Sequence, residues 1–143
     1  MTWPTQALAF AAIALAVQPP PAERPQTDRD RLQGKWKVVS SQFEGRDGTA
    51  AYRDRTSLVF EGDRAYFTDG AVQSKPVKFG LDETKGPKTI DLIAGGDQVT
   101  LGIYQLDGDT LKLCLSRSGR RPGDFATKPG DQTNLMTLRR EKP

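Results

Sequence analysis

The chain contains no histidine and one cysteine, Cys114. Histidine is the side chain that titrates near neutral pH, and it is the commonest general base and metal ligand. Its absence removes the usual participants in acid–base and zinc chemistry. A thiol with no imidazole to take its proton is not an activated nucleophile. Two carboxylate placements invite inspection. Asp107 and Asp109 flank Gly108, but Asp and Gly at that spacing are what a tight hairpin turn demands, so backbone geometry accounts for both. Gly95-Gly96-Asp97 is glycine-rich, yet no helical pattern follows that could aim amide groups at a phosphate. The expectation is a non-enzymatic protein with no catalytic residue, no metal and no cofactor.

What remains is binding chemistry. Tyr52 and Phe125 stand in long polar segments as candidate lids over a ligand, and Arg121 and Lys128 as candidate anchors for a carboxylate or phosphate. Arg117 and Arg120 add positive potential beside them. The same residues also support a structural reading, in which Arg121-Pro122 and Lys128-Pro129-Gly130 fix a long loop and Phe125 tucks beneath it. Net charge is +3, but basic and acidic residues alternate, as in "DRDR" and "YRDR". That mixture lacks the basic stripe a nucleic-acid surface requires.

These residues must be positioned by β-structure. From Leu32 onward, short β-prone runs are separated by Gly, Asp and Pro, with no sustained helical period. The runs are Lys35 to Phe43, Ser57 to Phe60, Arg64 to Thr68, Pro76 to Leu81, Lys88 to Ile93, Val99 to Leu106, Thr110 to Ser116 and Asn134 to Arg140. Glu61-Gly62-Asp63 and Asp107-Gly108-Asp109 join neighbouring runs as hairpins. About eight short antiparallel strands are best accommodated by an up-and-down barrel, which removes sheet edges, with an open two-layer sandwich as the alternative. A two-residue turn within 107–109 places Tyr104 and Leu106 on the face of Leu111, Leu113 and Leu115; a three-residue turn recruits Leu101 and Ile103 instead. Either way Cys114 faces the other side and is expected to be a small packing residue.

In such a barrel alternate loops share a rim. The long segments after the first, third, fifth and seventh runs fall at one rim, the mouth. Gly34, Trp36 and Arg140 then meet at the other, closed end. An indole near the start of the first strand can lay itself across the floor, with the Arg140 guanidinium stacked on it and Gly34 permitting close approach. The alternative is that Trp36 is an ordinary core residue and Arg140 a solvated terminus.

Gly34-x-Trp36 on the first strand with an arginine on the last resembles the lipocalin and fatty-acid-binding-protein superfamily. "LQGKWKVVS", "LVFEGD", "PKTIDL", "LGIYQLDGDTLKLC", "RPGDFATKPG" and "LRREK" together are similar to a lipocalin-like domain family of small exported proteins of planctomycete bacteria. The resemblance covers about Leu32 to Lys142 and implies an eight-stranded lipocalin-like barrel outside the cytoplasm. It implies no ligand and no activity. The chain departs from that pattern in the first loop, "RDGTAAYRDR", and in the short fifth loop.

The apolar block Ala7 to Val17 is too short to cross a bilayer and suits a signal peptide, with Ala14-Leu15-Ala16 a cleavage pattern; its n-region carries no Lys or Arg. The expected organisation is a signal peptide at 1–16, a Pro- and charge-rich tether at 17–31, and the barrel domain at 32–143. A secreted or periplasmic product without a stable membrane span follows. Two functions are open to it: carriage of a small, mostly apolar ligand inside the barrel, or an interaction or inhibitor module that engages an extracytoplasmic protein through its mouth loops, its interior filled.

Overall fold

The structure, a computed structural model, describes residues 26–52 and 55–142. The expected signal peptide, and the expected tether up to residue 25, lie outside the described residues. The elements in chain order are α1 (Asp28–Leu32), β1 (Gly34–Phe43), β2 (Arg46–Asp47), a 3-10 helix (Thr49–Tyr52), β3 (Thr56–Glu61), β4 (Arg64–Asp69), β5 (Val72–Gln73), β6 (Val77–Asp82), β7 (Lys88–Gly95), β8 (Gln98–Asp107), β9 (Thr110–Ser116) and β10 (Thr133–Arg140). All strands pair antiparallel in one sheet. It runs β10-β9-β8-β7-β6-β4-β3-β1 and closes on itself where β10 pairs with β1. The short β2 and β5 lie outside this ring, folded back on β1 and β4 at the mouth. Eight strands therefore make a closed barrel, and the open sandwich is set aside.

Register follows from turn chemistry. Asp107 pairs with Thr110, so only Gly108 and Asp109 lie in the turn, and Tyr104 and Leu106 stand opposite Leu113 and Leu111 on the inner face. Ile103 and Cys114 consequently pair on the outer face. On β1 the ladder slips between Val38 and Ser40, a bulge that leaves Val39 unpaired. An extra residue reverses the alternation that follows it. Trp36 and Val38 face inward before the bulge; Ser41 and Phe43, rather than Ser40 and Gln42, face inward after it.

The core fills the closed half of the barrel. Trp36, Phe60, Ile90, Tyr104, Leu111 and Leu138 are buried there to 1% exposure or less, and the Phe60 and Phe79 rings meet edge to face at 5.0 Å. Gly102 on β8 makes room for this packing. A Cβ at that position would lie 2.5 Å from Leu115 Cδ2 and 2.9 Å from the Cys114 carbonyl oxygen.

The lead-in is part of the folded unit. Residues 28–31, assigned to the tether by composition, form most of α1, which lies under the barrel with Leu32 wholly buried. The helix starts at a capping box: the Asp30 amide donates to Thr27 Oγ1 and the Thr27 amide donates back to Asp30 Oδ2. Two of its charged residues find partners in the barrel, Asp28 with Lys88 and Tyr104 and Arg29 with the Phe79 carbonyl, while Asp30 and Arg31 stay exposed.

Candidate functional site

At the floor, Gly34 carries the chain from α1 into β1 at φ +116°, and a Cβ there would lie 3.6 Å from Arg140 Nη1. Trp36 and Arg140 are paired across β1 and β10, and the guanidinium carbon sits 4.3 Å from the indole ring centre. A helix leaves its last carbonyls without partners, and here the barrel provides them. Trp36 Nε1 donates to the Leu32 carbonyl at 2.8 Å, while Arg140 donates to the carbonyls of Gln33, at 3.0 Å, and of Arg31. Asp109 holds the same guanidinium from the β8–β9 turn at 3.3 Å. The three floor residues thus join helix, first strand and last strand.

Beside them lies a buried ionic group that sequence reasoning missed. Asp28, 1% exposed, accepts hydrogen bonds at Oδ2 from Lys88 Nζ at 2.8 Å and from the Tyr104 hydroxyl at 2.7 Å. Burial alone would raise its pKa. The Lys88 and Tyr104 hydrogen bonds and the charges of Lys88 and Arg31 outweigh it and hold the carboxyl below its ordinary value. Tyr104 is affected in reverse: burial, then the Asp28 hydrogen bond and charge, raise its pKa well above the ordinary phenol. The Thr27-x-x-Asp30 spacing was the signal that could have placed this segment in the fold.

The mouth half of the barrel is open. A cavity of about 530 Å³ falls within the range of small-molecule sites. Phe43, Phe67, Leu92, Leu115 and Met136 give it apolar walls, and Ser41, Tyr52, Thr100 and Asn134 supply polar atoms. Arg46, Asp47 and Arg117 stand at its rim. The β1–β2 hairpin turns through Glu44 and Gly45, both at positive φ. Beyond it the 3-10 helix is tied down by Gly48 N to the Ser41 carbonyl and Ser41 N to Thr49 Oγ1. That tie places Tyr52 over the opening. Its hydroxyl accepts from Asn134 Nδ2 at 2.7 Å, and Asn134 Oδ1 in turn accepts from Ser41 Oγ at 2.8 Å.

The other candidates are placed elsewhere. Residues 117–132 form a strap that turns back over the outer wall instead of crossing the mouth. Arg121 reaches over β7 and β8, where it pairs with Asp91 at 2.6 Å and donates to the carbonyls of Gly102, at 2.7 Å, and Ile90, at 3.3 Å. Those acceptors occupy the guanidinium on the outside of the barrel. Arg121 and Lys128 line a shallow groove along the strap, and Phe125, half-buried, lies in the strap but does not line that groove. None of the three lines the calyx. Of the four proposed ligand residues Tyr52 alone does, joined by Arg117 from the start of the strap. Ser41 and Asn134 went unrecognised because the β1 bulge that turns Ser41 inward has no compositional mark.

Under the strap Cys114 is fully buried, its Sγ 3.8 Å from the Ala126 carbonyl oxygen. Burial pushes its pKa up to about 11, against a smaller opposing effect of that contact. Among the described residues no three His, Cys, Asp or Glu side chains gather as a metal site, and no helix is long and apolar enough to cross a membrane. Comparison with known proteins finds no matching family model, no matching curated protein and no matching solved structure.

Proposed function

We propose that this chain is a non-enzymatic, extracytoplasmic, lipocalin-like barrel that holds a small, mostly apolar molecule in the calyx at its mouth. The observation that carries this reading is the void itself, about 530 Å³ bounded by Phe67, Leu92, Leu115 and Met136. A small barrel that served only as a scaffold for its loops would gain stability by filling that space. This favours carriage over the rival reading, an interaction or inhibitor module with a filled interior. The leader-like block at 7–17 supports export, and the motif resemblance over 32–142 supports membership of the exported planctomycete family.

Carriage is tested by native mass spectrometry of the full chain purified without detergent or refolding. A reproducible excess mass that disappears on denaturation is expected. Leu92→Trp, which puts an indole into the void, should be recovered at its bare polypeptide mass. A bare mass for the unmodified chain, together with no binding of an anilinonaphthalene sulfonate probe, would transfer the function to the loops.

A further inference from the structure

We infer that the outer wall of the barrel, where β1, β10 and β9 meet, binds a linear acidic polysaccharide through the neighbouring cations Lys37, Arg139 and Lys112. This surface is separate from the calyx and does not rest on the carriage reading.

Its placement follows from register. Trp36, Leu138 and Leu111 are buried inside the barrel, so the side chains next to them along each strand point out. Lys37 pairs with Arg139 across β1 and β10, and Lys112 on β9 pairs with Thr137, two residues before Arg139. On one face of a sheet, directly opposed Cβ atoms are about 5 Å apart and diagonal ones about 7 Å apart. The three cations therefore stand side by side, Arg139 and Lys112 exposed and Lys37 half-buried. Among the described residues none of the three makes an ion pair. Two carboxylates border the group. Glu141 is engaged by Lys35 at 3.4 Å and by the Ser57 hydroxyl at 3.0 Å, and Asp107 lies past Thr110 at the end of the row.

Like charges directly opposite one another destabilise an antiparallel pair. Lys37 and Arg139 stand in that relation with no carboxylate across from either. The other opposed cations, Arg64 and Lys78 on β4 and β6, differ in that Glu61 stands opposite Arg64. An anionic partner accounts for an arrangement that the fold itself does not favour.

Shape and chemistry give its class. Passing from β1 through β10 to β9 takes the row a quarter of the way round the eight-stranded ring. Its side chains fan apart, and a flat bilayer meets only part of them. The outward residues of β1, β9 and β10 include no aromatic ring on which the bases of a nucleic-acid strand would stack. Their one large exposed apolar side chain is Val39, which falls short of the aromatic and apolar anchors at the centre of a protein interface. Beside the cations stand Ser40, Gln42, Thr137 and Gln105. Cations among hydroxyl and amide groups fit a hydrated chain of hydroxyls and carboxylates that is flexible enough to follow the curve.

Calorimetric titration of the full chain with polygalacturonate, uncharged dextran, oligothymidylate and phosphatidylglycerol vesicles tests this. Polygalacturonate is expected to bind, with an affinity that falls as salt is raised, and dextran is not. The triple variant Lys37→Gln/Lys112→Gln/Arg139→Gln should weaken polygalacturonate by about tenfold or more. Arg64→Gln/Lys78→Gln, which removes the opposed cations of the other wall, should leave it nearly unchanged. Lys37→Gln alone should raise the melting temperature by about 1 to 4 °C, because it relieves the opposed charges. No binding of polygalacturonate, equal binding of dextran, or equal weakening by the two multiple variants would overturn the surface. Tighter binding of oligothymidylate or of the vesicles would overturn the class of partner. A melting temperature lowered by Lys37→Gln would overturn the argument that the opposed pair opposes the fold.

Discussion

At the scale of single residues, the closed end concentrates the interactions that cannot be replaced independently. Trp36 fills the floor, donates to the last carbonyl of α1 and supports Arg140 on its face. Its replacement by alanine removes all three, and Trp36→Ala should lower unfolding free energy by about 3 to 5 kcal/mol in denaturant titrations. A loss under about 1 kcal/mol would mean that the indole does not hold the floor. Asp28 presents a different case, since the side chain matters for what it satisfies. Asp28→Ala leaves the Tyr104 hydroxyl buried without its acceptor and Lys88 without its partner, which should cost about 1 to 3 kcal/mol. Tyr104→Phe should cost less, because Asp28 then keeps Lys88. Equal losses from the two substitutions would argue that Lys88 contributes nothing to holding Asp28.

At the scale of elements, the strap and the lead-in helix each bind to the barrel by a few charged contacts in place of a large apolar face. The strap depends on Arg121, which ties 117–132 to β7 and β8 through one carboxylate and two carbonyls. Arg121→Ala should lower stability by about 1.5 to 3 kcal/mol, the range for hydrogen bonds to a charged group, and make Cys114 accessible to a thiol reagent. Binding of the anilinonaphthalene sulfonate probe should be unchanged, because the guanidinium faces away from the calyx. A loss of affinity with stability intact would instead restore Arg121 to the binding site. The strand assignments were legible from local pattern, because alternation and Asp-Gly turns act over a few residues. The direction in which the strap folds was not, because a loop rich in Arg, Pro and Gly satisfies the same local rules over the mouth or along the wall.

At the scale of the whole molecule, stability should depend on pH at both extremes. The Asp28 carboxyl is held below its ordinary value in the folded state. Between the unfolded and folded values the unfolded chain binds the extra proton, so this contribution is complete above about pH 4 and is lost as pH falls through the folded value. Tyr104 and Cys114 are raised, and their contributions run the other way. They are present below the ordinary values and are lost as pH rises past them, for the thiol between 9.0 and about 11. Thermal melts across this range should show an acid limb that flattens in Asp28→Asn and an alkaline limb that flattens in Tyr104→Phe. An acid limb unchanged in Asp28→Asn would assign it to other carboxylates. The half-filled interior belongs to this scale as well, since the void arises from eight strands acting together and from no residue alone.

By itself the sequence determined about eight antiparallel strands and an all-β chain, because side-chain alternation and turn chemistry are local properties that the backbone must obey; the β10–β1 pairing settled closure over the open sandwich. The tertiary structure alone decided that the mouth half is hollow rather than filled, which residues face the hollow, and that a helix joins Trp36 and Arg140 at the floor. A one-residue bulge at Val39 reversed the alternation of β1 and turned Ser41 and Phe43 inward. A five-residue helix with a polar sequence became part of the core because Lys88, Tyr104, Trp36 and Arg140, all distant in the chain, satisfy its carboxylate and its carbonyls. Such pairings exist only after the barrel has closed, so no reading of neighbouring residues could reveal them.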